Sequence, residues 1–218
     1  MLRKWVAMKK ELLELKDKIV IVSKNRSVEE IMELYHQGFR IFGENRVQEL
    51  LVKAAGTPKD ITWHLVGHLQ RNKVSKVIGL CTLIHSVDSF KLLEKIEKES
   101  KKQNIITNVL LQVNLALEDS KFGFEEIEVP DIIKKAVVFN HILIRGIMVI
   151  GPNVDDEKAI LDVFYKGYDL YNRCKEIKQP NVCINTYSAG MSSDYKLALK
   201  ANSNLLRLGT IMFAKESA

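Results

Sequence analysis

Lys24 ends the run Ile19-Val20-Ile21-Val22-Ser23-Lys24. An ammonium held beside that much apolar surface bears a desolvation cost. That cost lowers its pKa and makes the amine a better nucleophile toward a carbonyl, as in Schiff-base formation. A lysine whose head simply reaches solvent would occupy the same position, so position alone leaves both readings open. Near the other end of the chain, Leu208-Gly209-Thr210 offers close backbone approach at Gly209 and a hydroxyl donor at Thr210. Upstream, Ser188-Ala189-Gly190-Met191-Ser192-Ser193-Asp194 sets small residues and hydroxyls before a helix expected to start near Ser192. Free N–H groups and the dipole at such a start attract anions. An ordinary tight turn with a helix cap has the same composition, so this pattern is also open by itself.

The histidines point to less. His64 and His68 are four apart, a metal-ligand spacing on a helix. Here they flank a strand and its turn, where four residues span roughly 13 Å. Structural or ligand-lining roles are expected for both, and packing or loop roles for His85 and His141. The chain contains no P-loop and no GxGxxG.

The elements that must position these groups alternate. Strands are read at 19–24, 40–44, 63–67, 83–87, 108–114, 142–150, 182–186 and 205–210. Helices are read at 2–15, from the Ser27 capping box to Gly38, 47–55, from about Asn72, from Ser89 through Lys101, 156–177 and from near Ser192. The fifth strand is followed by a loop instead of an immediate helix. Eight strands with intervening helices predict an α/β fold, a (β/α)₈ TIM barrel with an extra N-terminal helix. A doubly wound open sheet is the alternative, but it normally uses fewer strands over this length. In a barrel, reactive groups sit where strands end, as Lys24 does, and the loops around strands seven and eight commonly cradle phosphate. No linker, repeat or low-complexity tract divides residues 1–218, so a single domain is expected.

Composition agrees with a cored globular protein. The chain has 218 residues, 46% of them hydrophobic and 28% charged. No apolar run approaches the roughly 20 residues that span a bilayer, and no signal-peptide core follows Met1, so a cytoplasmic location is expected. Cys81, Cys174 and Cys183 lack CxxC spacing and read as reduced thiols. The net charge of +6 could suggest nucleic acid. However, bases and acids are interspersed, as in Lys95-Ile96-Glu97-Lys98-Glu99, which reads as a solvated helix face. A small anion such as phosphate suits the basic surface equally well. Neither a nucleic acid nor a membrane is expected as a partner.

Several motifs occur together and in order. They are Val22-Ser23-Lys24, Phe42-Gly43-Glu44-Asn45-Arg46-Val47-Gln48-Glu49, Trp63-His64-Leu65-Val66-Gly67-His68-Leu69-Gln70-Arg71-Asn72-Lys73, and Ile84-His85-Ser86-Val87-Asp88. Glu118-Asp119-Ser120-Lys121-Phe122-Gly123-Phe124, Gly190-Met191-Ser192-Ser193-Asp194-Tyr195 and Arg207-Leu208-Gly209-Thr210 complete the set. Over nearly its whole length the chain resembles the pyridoxal 5′-phosphate (PLP) homeostasis protein family, single-domain relatives of the alanine racemase barrel.

The resemblance implies that PLP is the cofactor and Lys24 its Schiff-base lysine. It implies that Ser192, Gly209 and Thr210 hold the phosphate and that Asn45 lines the cofactor. It also implies that Arg207 faces the pyridine nitrogen, where a group that keeps its proton would leave the ring a weaker electron sink. Lys121 is implied as a second amine near the pocket. Two departures stand out: Asn25-Arg26 follows the lysine where the family has Thr-Lys, and Ser188-Ala189-Gly190-Met191 replaces Ser-Met-Gly-Met.

The expected role is cofactor binding in intracellular vitamin B6 homeostasis without robust turnover, with PLP-dependent apoenzymes or amino acids as acceptors. A weak amino-acid racemase is the alternative, and a phosphate-binding barrel enzyme without PLP a third. Racemisation needs groups on both faces of the substrate carbon. In the racemases a tyrosine from a C-terminal domain serves one face. This chain ends eight residues after Thr210, so neither that domain nor its dimer contact is expected and a monomer is favoured. Tyr187 and Tyr195 are the tyrosines expected near the site.

Overall fold

Short β-branched runs alternate with amphipathic segments, and in the computed structural model each run becomes a strand. The structure describes residues 2–115 and 122–214, so Lys121 lies outside the described residues. In chain order the elements are α1 (Leu2–Glu14), β1 (Ile19–Val22), α2 (Val28–His36), β2 (Ile41–Glu44), α3 (Val47–Ala55), β3 (Thr62–Leu65) and β4 (Leu83–Val87). They continue with α4 (Phe90–Gln103), β5 (Thr107–Val113), α5 (Val129–Lys135), β6 (Ile142–Val149), α6 (Glu157–Lys175), β7 (Val182–Ser188), α7 (Tyr195–Lys200) and β8 (Leu206–Leu208). The capping box at the start of α2 is formed: Glu30 N–H donates to Ser27 Oγ at 3.3 Å, and Ser27 N–H donates to Glu30 Oε2 at 2.8 Å.

All eight strands are parallel neighbours in the order β7-β6-β5-β4-β3-β2-β1-β8. The ring closes between β7 and β8 through a bridge at Ser188 and Leu205, with Arg207 N–H donating to the Gly190 carbonyl at 3.0 Å. The result is the expected barrel with its leading helix.

Side chains alternate across the wall, as the two-residue period of a strand requires. Ile19 and Ile21 of β1, Trp63 and Leu65 of β3, and Leu206 and Leu208 of β8 join the large apolar layer under the helices. Val20, Leu83, Leu110, Met148 and Leu205 form a smaller cluster inside the ring. Cys81 and Cys174 are buried and Cys183 is exposed; burial pushes both buried thiols up to about 12.

Three local expectations are corrected and one is extended. The basic segment after β3 is a 3-10 helix, Arg71–Lys76, not an α-helix. Among the described residues no α-helix follows β5 directly, as expected, and α5 begins only at Val129, with Pro130 in its first turn. Pro130 is tolerated there because the first helical turn needs no N–H donors. The helix expected near Ser192 begins at Tyr195, because Asp194 Oδ1 accepts from Met191 N–H at 2.5 Å and holds 191–194 as a turn. The charged face of α4 is not uniformly solvated: Glu99 is 6% exposed and is held by Lys95 and Lys102.

Candidate cofactor-binding site

Barrel geometry sends every strand's C-terminal end to one mouth, and the candidate residues follow their strands there. Lys24 comes two residues after β1, Asn45 directly after β2, and Gly209 and Thr210 directly after β8. Ser192 lies in the turn between β7 and α7. All of these and Arg207 line one cavity of ≈ 960 Å³, ample for a cofactor of this class. Val22, Val66, Met148 and Ile150 supply an apolar wall to it. Lys24, Arg26 and Arg207 supply three cations, and no aspartate or glutamate is among the lining residues.

Backbone donors after β8 converge on one point. Ser192 Oγ accepts from Gly209 N–H at 3.2 Å and from Ile211 N–H at 3.4 Å. Two amides aimed at one oxygen are the arrangement that a phosphate oxygen needs. Gly190 makes the preceding turn possible: it has φ +95°, and a Cβ there would lie 2.6 Å from that of Ala198. Ser192 therefore lies in a turn that meets the backbone after β8, and not at a helix start.

Lys24 differs from its expected environment. It is exposed, not desolvated. The four aliphatic residues before it lie within the barrel wall, and the chain leaves the sheet at Ser23, with Asn25 at φ 58°. The loop is held firmly all the same. Ser23 is fully buried and donates to Glu44 Oε1 at 2.7 Å. Lys53 Nζ donates to that same oxygen at 2.7 Å, to the Ser23 carbonyl at 2.8 Å and to Glu49 Oε2 at 3.1 Å.

Arg207 lies between the outward-facing Leu206 and Leu208 and projects into the ring, 5% exposed. Its guanidinium donates to the Ser188 carbonyl at 3.0 Å, to Ser188 Oγ at 2.8 Å and to the Val149 carbonyl at 2.8 Å. Burial lowers it to about 10, against the opposing pull of Asp194 and Tyr187, so it stays charged at neutral pH. Ser188 Oγ lies 3.3 Å from His85 Nδ1, and His85 Nε2 lies 3.0 Å from His64 Nδ1. Burial pushes His64 down to about 4 and His85 well below its usual range, the latter helped by His64 and Arg207. Both imidazoles are therefore neutral.

Arginine can only donate. Ser188 Oγ accepts from it and has its own proton to give to His85 Nδ1. His85 then donates from Nε2 to His64. This direction places the proton of neutral His64 on Nε2.

Sequence reasoning missed this file as well as the Glu44–Lys53 cluster. The signal for His64 was present, because it alternates with Trp63 and Leu65, which face outward. No local pattern marks Lys53, which looks like any helical lysine. Elsewhere, His68 pairs with Asp88 at 2.8 Å and stacks on Phe122. Neither Tyr187 nor Tyr195 lines the cavity. Tyr187 is fully buried and donates to the Phe164 carbonyl at 2.7 Å.

Residues 1–216 match the model of the alanine racemase N-terminal domain. The chain is similar to the pyridoxal phosphate homeostasis protein of Helicobacter pylori, with 39% identity over 90% of this chain and 86% of that protein. It is 33% identical to the protein of the same name from Aquifex aeolicus, over 91% of this chain and 86% of that one. The solved structure of PipY from Synechococcus elongatus PCC7942 with PLP bound superposes with a TM-score of 0.85. It shares 31% identity over 98% of this chain and 100% of that one.

Proposed function

The chain belongs to the alanine racemase N-terminal domain family, and from that premise we propose that it binds pyridoxal 5′-phosphate and serves intracellular homeostasis of that cofactor. The observation that carries this reading is the cavity: Lys24, Arg26 and Arg207 line it with no acid among the lining residues, and the backbone amides of Gly209 and Ile211 converge on Ser192 Oγ at its edge. Such a site fits a dianionic phosphate next to a planar ring, for which Val22, Val66, Met148 and Ile150 offer apolar contact. Ser192, Gly209 and Thr210 would hold the phosphate, Asn45 and Arg207 would meet the ring, and Lys24 would take the aldehyde.

When bound, PLP supplies an aldehyde that condenses with a primary amine, forming C=N with loss of one water. In this reading the protein's own residues orient and hold. Arg207 presents a fixed cation that cannot readily accept a proton. The exposure of Lys24 would leave its amine accessible to an amino acid or a PLP-dependent apoenzyme competing for the aldehyde. Among the cavity-lining residues, Lys24 is the one side chain that can serve as a base, which disfavours two-faced racemase chemistry.

The test is reduction of the PLP-loaded protein with borohydride, followed by peptide mapping. The expected label is on Lys24, and Lys24→Ala loses the near-visible absorption. Label found only elsewhere overturns the assignment.

A further inference from the structure

We infer that Lys53 and Glu49 of α3, together with Glu44 of β2, are positioning residues that hold the backbone of Lys24 in place for covalent capture of the cofactor. The inference rests on the assignment of Lys24 proposed above. Its basis is that both peptide groups flanking Lys24 end on the same cluster, buried at Lys53 and Glu44 and partly exposed at Glu49. The carbonyl of the Ser23–Lys24 peptide accepts from Lys53 Nζ at 2.8 Å. The N–H of the Lys24–Asn25 peptide donates to Glu49 Oε2 at 3.0 Å. Lys53 and Glu49 are one helical turn apart and paired at 3.1 Å, so a single face of α3 grips both sides of one residue.

The cluster is closed behind that grip. Glu44 Oε1 accepts from Lys53 at 2.7 Å and from the Ser23 hydroxyl at 2.7 Å. The Lys53 and Glu44 side chains are 8% and 0% exposed. Removing such a pair from water costs roughly what its attraction returns, so apolar packing of equal volume would stabilise the fold as well. Its geometric consequence is more specific. Asn25 adopts φ 58°, a left-handed conformation that asparagine tolerates better than other non-glycine residues. Glu49 caps the N–H of that very residue, and the Asn25 amide is the main reason its carboxyl lies below the usual range. The exposed Lys24 side chain thus springs from a backbone that cannot drift. Fixed placement of a nucleophile raises the effective concentration at which it meets a bound carbonyl.

The experiment compares wild type with Glu49→Ala. A second variant, Lys53→Met with Glu44→Gln, removes the buried charges together and so avoids stranding one of them. The first readout needs no cofactor: hydrogen exchange at the Asn25 amide should speed up by about ten-fold or more in Glu49→Ala, as expected for loss of a charge-assisted bond. The second compares PLP with pyridoxamine 5′-phosphate, which carries the same phosphate and ring without the aldehyde. Positioning predicts that formation of the near-visible band slows by about ten-fold while pyridoxamine 5′-phosphate affinity stays within about two-fold.

Equal losses for both vitamers would show a merely structural role and overturn the inference. So would unchanged exchange and capture rates in both variants. If wild type and Lys24→Ala form the same band, the Lys24 assignment fails instead. The Asn25 amide then still reports whether the clamp exists.

Discussion

One N–H of the Arg207 guanidinium donates to the Ser188 hydroxyl across 2.8 Å, and this bond joins the cavity to a file of neutral histidines inside the barrel. Burial keeps His64 at about 4, against about 6.5 in the unfolded chain. Between those values the unfolded chain takes up a proton that the folded chain refuses. The stability contribution of His64 is therefore fully present above about pH 6.5 and is lost as pH falls toward about 4. The depression corresponds to about 3 kcal/mol for His64, and His85 adds to the same slope. His64→Gln cannot titrate, so urea unfolding across this range should show a flatter pH dependence than wild type. An unchanged slope would contradict the buried, neutral assignment.

The convergence of the Gly209 and Ile211 amides on Ser192 predicts a phosphate-specific loss. Ser192→Ala and Thr210→Val should each weaken PLP by about 1.5–3 kcal/mol, since each removes a hydroxyl from a charged ligand. Pyridoxal, which has no phosphate, should bind poorly to wild type and be indifferent to either change. Equal titration of the two vitamers against wild type would put the phosphate elsewhere.

Gly67 lies against the backbone of Asn45. A Cβ there would stand 2.4 Å from the Asn45 carbonyl oxygen and 2.6 Å from its Cα. Backbone cannot yield as a flexible side chain does, so Gly67→Ala should push Asn45 and cost about 1–3 kcal/mol of stability. Thermal melts of the two proteins, with and without PLP, check this. A variant with unaltered melting and unaltered PLP affinity would show that the approach is relaxed at no cost.

With one base in the cavity, exchange without inversion is expected. Incubating PLP-loaded protein with L-amino acids in deuterated buffer should give at most slow loss of the Cα proton by NMR, with chirality retained. Inversion faster than about 1 s⁻¹ would establish the racemase reading.

The sequence by itself determined the barrel and which strand ends open on its mouth. Eight apolar runs at strand length, separated by capped amphipathic segments, leave few topologies, because parallel strands need helical crossovers and those crossovers share one hand. Lys24, Ser192, Gly209 and Thr210 follow their strands, Asn45 and Arg207 are implied by the family resemblance, and closing the ring brings all six to one cavity.

Tertiary structure alone decided what touches what. Ile19 to Val22 look like a desolvating collar for Lys24, but alternation turns Ile19 and Ile21 outward and Val20 inward, and Lys24 follows the turn into solvent. His85 and Ser188 are 103 positions apart, and only closure between β7 and β8 brings them together. Lys53 reads as a surface lysine, yet the packing of α3 on β2 draws it into a buried cluster with Glu44. Local pattern encodes which way a residue faces. Which distant residue it meets is set by the register of strands and the packing of helices on them, and no short stretch of chain contains that information.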